Sequence, residues 1–198
     1  MIDYRCKIEA GAFYHIFNRG NNGENIFYTK ENYSFFLRRY EHFMADYVDT
    51  FAFCLLPNHF HLLIRMKPII NVSHLQNEKH LECPVSKQFQ GLFTSYAKAI
   101  NKQETRTGSL FQHPFKRIKV DTEIYLRQLV VYIHNNPVKH GFANFPEQWA
   151  FSSYNSILTD KSGILEREQV IKWFDDLTNF KAVHTQSVQI IRELQLEE

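Results

Sequence analysis

The 198 residues are 44% hydrophobic and 22% charged, with only 7 Gly and 6 Pro, a composition that excludes disordered, collagen-like and low-complexity chains. The length suits one domain with an appendage. No apolar run approaches the ~18 residues of a membrane helix, and Asp3, Arg5, Lys7 and Glu9 stand where a signal peptide would be apolar, so the expectation is a cytoplasmic protein without membrane association. Cys6, Cys54 and Cys83 form an odd set with no CxxC pair, which argues for reduced thiols over a disulfide framework or a cysteine-rich zinc site.

The net charge of +2 conceals an asymmetry. Residues 1–157 carry 18 Lys and Arg against 13 Asp and Glu, a net of +5, whereas residues 158–198 carry 5 against 8, a net of −3. Within the basic body, residues 87–119 hold Lys87, Lys98, Lys102, Arg106, Lys116, Arg117 and Lys119 against the single acid Glu104. That stretch is the best candidate surface for a polyanion, with a solvated helix face as the plain alternative.

In chain order, residues 12–18 alternate with aromatics and run into Arg19-Gly20-Asn21-Asn22-Gly23, which predicts a strand and a turn-rich loop. Residues 30–47 repeat apolar positions at three and four and predict an amphipathic helix. Residues 50–56 and 59–66 are β-rich runs around Pro57-Asn58, an antiparallel hairpin. Helical spacing returns over 85–102, and 111–120 reads as a strand interrupted by Pro114. Asp121 or Thr122 then caps a third helix that Pro137 is expected to stop near residue 136. This β-α-β-β-α-β-α order suits an α+β, ferredoxin-like (RRM-like) sandwich, one antiparallel sheet with helices on one face. An acidic tail adds helices near 166–177 and 181–196, so the division is 1–157 for the main domain and 158–198 for a helical extension.

Two stretches carry chemistry. In Leu56-Pro57-Asn58-His59-Phe60-His61-Leu62-Leu63-Ile64, strand alternation projects His59 and His61 together while Phe60 and Leu62 point into the core. The pair is a metal-ligand pair in outline, with hydrogen-bonded or surface histidines as the alternative. In the third helix, Tyr132 and Asn136 lie one turn apart on one face, with Tyr125 two turns earlier on nearly the same line. A hydroxyl and an amide oxygen could then meet one target; alternatively Tyr132 packs as a core aromatic and Asn136 merely ends the helix.

Taken together, the His59-Phe60-His61 strand and, some 70 residues on, Tyr132-Ile133-His134-Asn135-Asn136-Pro137-Val138-Lys139-His140-Gly141 resemble the HUH-superfamily single-tyrosine transposases, and within them the REP-associated tyrosine transposases. Phe13-Tyr14-His15-Ile16-Phe17-Asn18-Arg19-Gly20 and Trp149-Ala150-Phe151-Ser152-Ser153-Tyr154 share in the resemblance, which spans about residues 10–157 and leaves the tail outside. It implies the ferredoxin-like fold, His59 and His61 as metal ligands with Asn136 as a polar third, and Tyr132 as nucleophile, Tyr125 being a competing hydroxyl. The implied chemistry is nicking and rejoining of single-stranded or hairpin DNA, including repetitive palindromic elements, through a 5'-phosphotyrosine with Mg2+ or Mn2+. Phenols ionise near pH ~10, so the cation would also assist the nucleophile. No GxxxxGKS/T loop is present and no ATP is required.

Lys98, Lys102, Lys116, Arg117 and Lys119 would follow the DNA backbone, and Asn18 and Arg19 are candidates for base or phosphate contacts, with loop closure as their alternative role. The implied assembly is a monomer or a homodimer. Two rival readings differ in chemistry: a nucleic-acid-binding module that does not cut would have no need of His59, His61 and Tyr132 together, and a zinc hydrolase would need a third ligand, for which His113 and His140 are the candidates.

Overall fold

A computed structural model describes residues 6–68, 84–160 and 163–196 of the chain. Its central sheet has four strands, β1 (Phe13–Arg19), β2 (Val48–Leu56), β3 (His59–Met66) and β4 (Lys116–Val120), in the order β2-β3-β1-β4 with every neighbouring pair antiparallel. The helices α1 (Lys30–Met44) and α2 (Pro84–Gln103) are the crossovers β1-α1-β2 and β3-α2-β4. This is the ferredoxin-like α+β arrangement that the element order implies.

One sheet face carries Tyr14, Ile16, Phe53, Leu55, Phe60, Leu62 and Ile64 against Phe36, Tyr40, Phe89, Leu92 and Tyr96 of α1 and α2. The expected layer of helices on one face describes these two alone. The opposite face is covered by α3 (Glu123–Lys139), the short α4 (Tyr154–Thr159), α5 (Arg167–Trp173) and α6 (Leu177–Leu196), which bury Leu129, Ile133, Tyr154, Trp173, Phe174 and Phe180 over Cys54, Leu56 and Leu63. A register shift between Thr50 and Ala52 turns Phe51 onto this second face, where it stacks on Trp173 at 5.0 Å. Full burial of such a ring is worth about 1.5–3 kcal/mol, so the tail makes a substantial part of this core.

Three boundaries depart from the sequence reading. The fourth strand begins at Lys116 and not at Phe111, which makes only an isolated bridge to Gly20, because Pro114 has no N–H to offer a ladder. Pro137 does not stop α3, which starts on a Thr122 side-chain cap to the Tyr125 N–H and continues to Lys139. Proline removes one hydrogen bond, to the Ile133 carbonyl, and the last turn closes instead through the His140 and Phe142 N–H groups on the Asn136 and Pro137 carbonyls. In the tail, the first helix ends at Trp173, shorter than the stretch 166–177. Cys6 and Cys54 are free thiols, Cys54 fully buried; Cys83 lies outside the described residues.

Behind α3 sits a fully buried polar pair, His134 and His184, both 0% exposed. His184 faces His134 of α3 and the ring of Tyr154, and burial lowers its pKa to about 4. The unfolded chain, with histidine near pH ~6.5, takes up a proton that the folded protein refuses, so stability is full above that pH and falls as pH drops from about 6.5 towards 4. In urea denaturation, the wild type is expected to lose about 2 kcal/mol more than His184→Gln between pH 7 and pH 5; equal losses would show that His184 is protonated in the folded state.

Candidate active site

The site forms where β1 ends, β3 begins and the last turns of α3 cross above them. In the β1–β3 register Phe17 faces His61 and Arg19 faces His59, so alternation presents Phe17, Arg19, His59 and His61 on the face that α3 covers. Phe60, between the histidines, is fully buried on the other side against Phe36 and Phe93. Gly20 closes the end of β1, since a β-carbon there would run into the Glu24 carbonyl. A cleft of about 430 Å³ results, lined by Arg19, His59, His61, Lys116 and Tyr132 among others.

Tyr132 is 39% exposed, an unusual position for a large aromatic in a helix whose other apolar residues are mostly buried. Its ring stands edge-on to His61 at 5.5 Å and to His15 at 6.2 Å, and the Lys139 ammonium lies 5.5 Å from its centre. Tyr132 is therefore not the core aromatic of the plain reading. Tyr125, the competing hydroxyl, packs against the second core and does not line the cleft.

The two strand histidines differ in their partners. His59 Nδ1 lies 2.7 Å from Asn58 Oδ1 and its Nε2 lies 3.1 Å from Asn136 Oδ1. Burial lowers the His59 pKa, with the Asn136 hydrogen bond opposing and His140 and Arg19 assisting. A neutral imidazole has one N–H for these two oxygens. Either Nδ1 donates to Asn58, the shorter contact, or Nε2 donates to Asn136; in the first tautomer Nε2 presents a lone pair beside Asn136 Oδ1. Asn136 is fully buried and its Nδ2 has no partner among the described residues.

His61 is 7% exposed, and its Nδ1 lies 2.9 Å from His15 Nε2. Burial first, then the neighbouring His15, His59 and His140, holds its pKa well below the ordinary value. Burial alone lowers His15 to about 3. One ring of this pair donates; when His61 does, from Nδ1, its Nε2 is left as a free acceptor. His15 and Asn58 thus orient the two histidines as outer partners orient metal-ligating imidazoles.

These donors fit a divalent cation. Two neutral imidazoles and an amide oxygen are a mixed N/O set, and the 3.1 Å from His59 Nε2 to Asn136 Oδ1 matches the ~3 Å between adjacent ligands at the ~2.1 Å bond lengths of an octahedral ion. Among the described residues no cluster of three His, Cys, Asp or Glu side chains is placed to hold a metal. His140 lines the cleft with its ring 5.0 Å from that of His59, while His113 lies in a neighbouring groove.

The predicted nucleic-acid residues divide. Arg19, Asn18 and Lys116 line the cleft, although Asn18 is buried and ties its amide to the Gln112 carbonyl and the Arg19 N–H. Lys98 lines an adjoining groove of about 650 Å³ that also reaches Asn18, and Lys102 is exposed further along α2. Arg117 and Lys119 do not join them. They alternate to the opposite sheet face, where Arg117 donates to the Cys6 carbonyl at 2.6 Å and Lys119 pairs with Glu9 at 2.6 Å. Sequence reading gave no site role to His15, Asn58 or Phe142, and considered His140 only as a third ligand of a zinc hydrolase. The alternation that selected Phe13 and Phe17 also contains His15, but only the register shows which histidine it meets.

No family model matches the chain. A curated protein of Haemophilus influenzae named as a REP-associated tyrosine transposase is 27% identical over 128 residues, which are 65% of this chain and 69% of the relative. Among solved structures, a REP-associated tyrosine transposase bound to a REP hairpin superposes with a TM-score of 0.60 at 18% identity, over 83% of this chain and 90% of that one. That likeness is one of fold. Among the described residues no helix is long and apolar enough to cross a membrane.

The His15–His61 pair has a direct spectroscopic consequence. In 15N-edited spectra the His15 ring signals should remain those of a neutral imidazole from pH 8 down to about pH 5, since its pKa is about 3. Titration of His15 near pH ~6.5 would mean that the pair is open to water in solution.

Proposed function

Because the chain resembles the REP-associated tyrosine transposases both in sequence and in fold, we propose that it is a metal-dependent tyrosine transposase that nicks and rejoins single-stranded or hairpin DNA. The observation that carries this reading is the convergence on one cleft of a partly exposed tyrosine and two neutral imidazoles, one of them in contact with a buried amide oxygen. A binding module without chemistry has no use for that combination.

His59, His61 and Asn136 would hold Mg2+ or Mn2+, which when bound polarises the scissile phosphate and offsets charge on the leaving oxygen. Arg19 and Lys116, with Lys139 beside Tyr132, supply positive charge along the cleft for the phosphodiester backbone. Phe142, 46% exposed at the rim, offers a ring on which a base can stack. Tyr132 Oη then attacks phosphorus in line: the phenol gives up its proton as the Oη–P bond forms, the P–O3' bond breaks, and the 3'-oxygen takes up one proton in exchange and leaves as a hydroxyl, so no net proton is gained or lost. The 5'-phosphotyrosine conserves one ester linkage for another, so a second 3'-hydroxyl can reverse the step and join strands without ATP. Lys98 and Lys102 extend the same electrostatic track along α2.

The test uses 5'- and 3'-labelled hairpin DNAs, with Mn2+ or Mg2+ and with EDTA, resolved under denaturing conditions. The expected result is a metal-requiring, SDS-resistant adduct that carries the 3' label, the protein being joined to the 5'-phosphate of the strand downstream of the nick. It should fall below detection in Tyr132→Phe, a loss of at least ~10³-fold, and persist in Tyr125→Phe. Hairpin binding with no adduct in the wild type would replace this reading with that of a binding module.

A further inference from the structure

The second core contains a polar chain that the chemistry above does not use. His184 Nδ1 donates to the Phe180 carbonyl one turn back in α6 at 2.7 Å. Its Nε2 is therefore an acceptor and receives the His134 Nδ1–H at 2.9 Å. His134 Nε2 in turn accepts from Ser153 Oγ at 2.7 Å, and Ser153 Oγ receives the Phe53 N–H of β2 at 2.8 Å. Each ring nitrogen has one defined role, and the chain runs unbroken from α6 through α3 to the central sheet. Asn135 Nδ2 adds a bond to the His184 carbonyl at 3.3 Å.

His134 is two residues after Tyr132 and two before Asn136. At ~100° per residue it lies on the back of α3, roughly opposite the face those two share. The same turn contains Pro137, whose missing N–H deprives the helix of an internal bond just where Asn136 must be held. External bonds on the back of the helix replace that lost restraint.

We propose that His184 of the C-terminal helix is a positioning residue: through His134 and Ser153 it sets the rotation of α3 and thereby places Tyr132 in the cleft and the Asn136 amide against His59. The proposal rests on the functional reading above and deepens it, because it makes the acidic tail part of the active site's support. A misplacement of about 1 Å in such a group slows reaction by up to ~100-fold without a comparable loss of binding.

The full-length chain with His184→Leu, which removes the acceptor, is compared with His184→Gln, which restores an acceptor at the Nε2 position. The single-turnover rate of adduct formation at saturating hairpin, the hairpin Kd and the melting temperature are measured for each. The Leu variant should lose about 10- to 100-fold in rate with Kd within about threefold, and Gln should recover most of the rate. Ser153→Ala, at the other end of the chain, should repeat the loss and serves if the Leu variant does not fold. An unchanged rate, rate and affinity falling together, or Gln performing no better than Leu would overturn the proposal. If the wild type forms no adduct, the functional reading fails and the ring signal of 13C-labelled Tyr132 decides: a shift in Leu reversed in Gln supports positioning, and an unmoved signal overturns it.

Discussion

The antiparallel pairing of β1 with β3 is the constraint on which the site depends. It places Phe17 opposite His61 and Arg19 opposite His59, and a slip of one residue would send both imidazoles into the aromatic core and Phe60 into the cleft. The core makes such a slip prohibitive, since Phe60, Leu62 and Ile64 are all fully buried beneath α1 and α2. The hydrophobic face of the sheet therefore does more than hold the fold together. It determines which atoms the other face presents, and so the packing of one side is converted into chemistry on the other.

On that second side the balance of burial and charge decides what the histidines are. Desolvation dominates the lowering of His15, His59 and His61, and neighbouring imidazoles and cations add to it for His59 and His61, so each ring is neutral at neutral pH, with one N–H and one lone pair. A surface pair of histidines would be half protonated near pH 6.5 and would repel a cation. The arrangement of amide oxygens is the complementary half: Asn58 and Asn136 lie against the two nitrogens of His59 at 2.7 and 3.1 Å, and the single N–H of a neutral ring can serve only one of them.

What was legible in the sequence followed local periodicity. Alternation around Phe60 identified the shared face of the histidines, and helical spacing placed Asn136 one turn after Tyr132, both without any tertiary knowledge. The unread part depends on pairings between distant segments. Arg117 and Lys119 looked like members of one basic patch with Lys116, but strand alternation separates them, and two bonds to the N-terminal segment hold them on the far face. His15 needed the β1–β3 register, and the persistence of α3 through Pro137 needed the packing behind it. The assignment of helices to one face failed to anticipate α3 and the tail because no local pattern states which side of a sheet a terminal helix will cover.

The tail's position bears on electrostatics as well as on support. Residues 158–198 carry a net −3 and could in principle screen a cleft whose body carries +5. Yet the cleft is lined only by residues up to Phe142, and the tail's buried rings, Trp173, Phe174 and Phe180, lie on the second core behind α3. What the structure does connect is the tail to α3 by contact, through the buried histidine chain, one helix face away from the cleft.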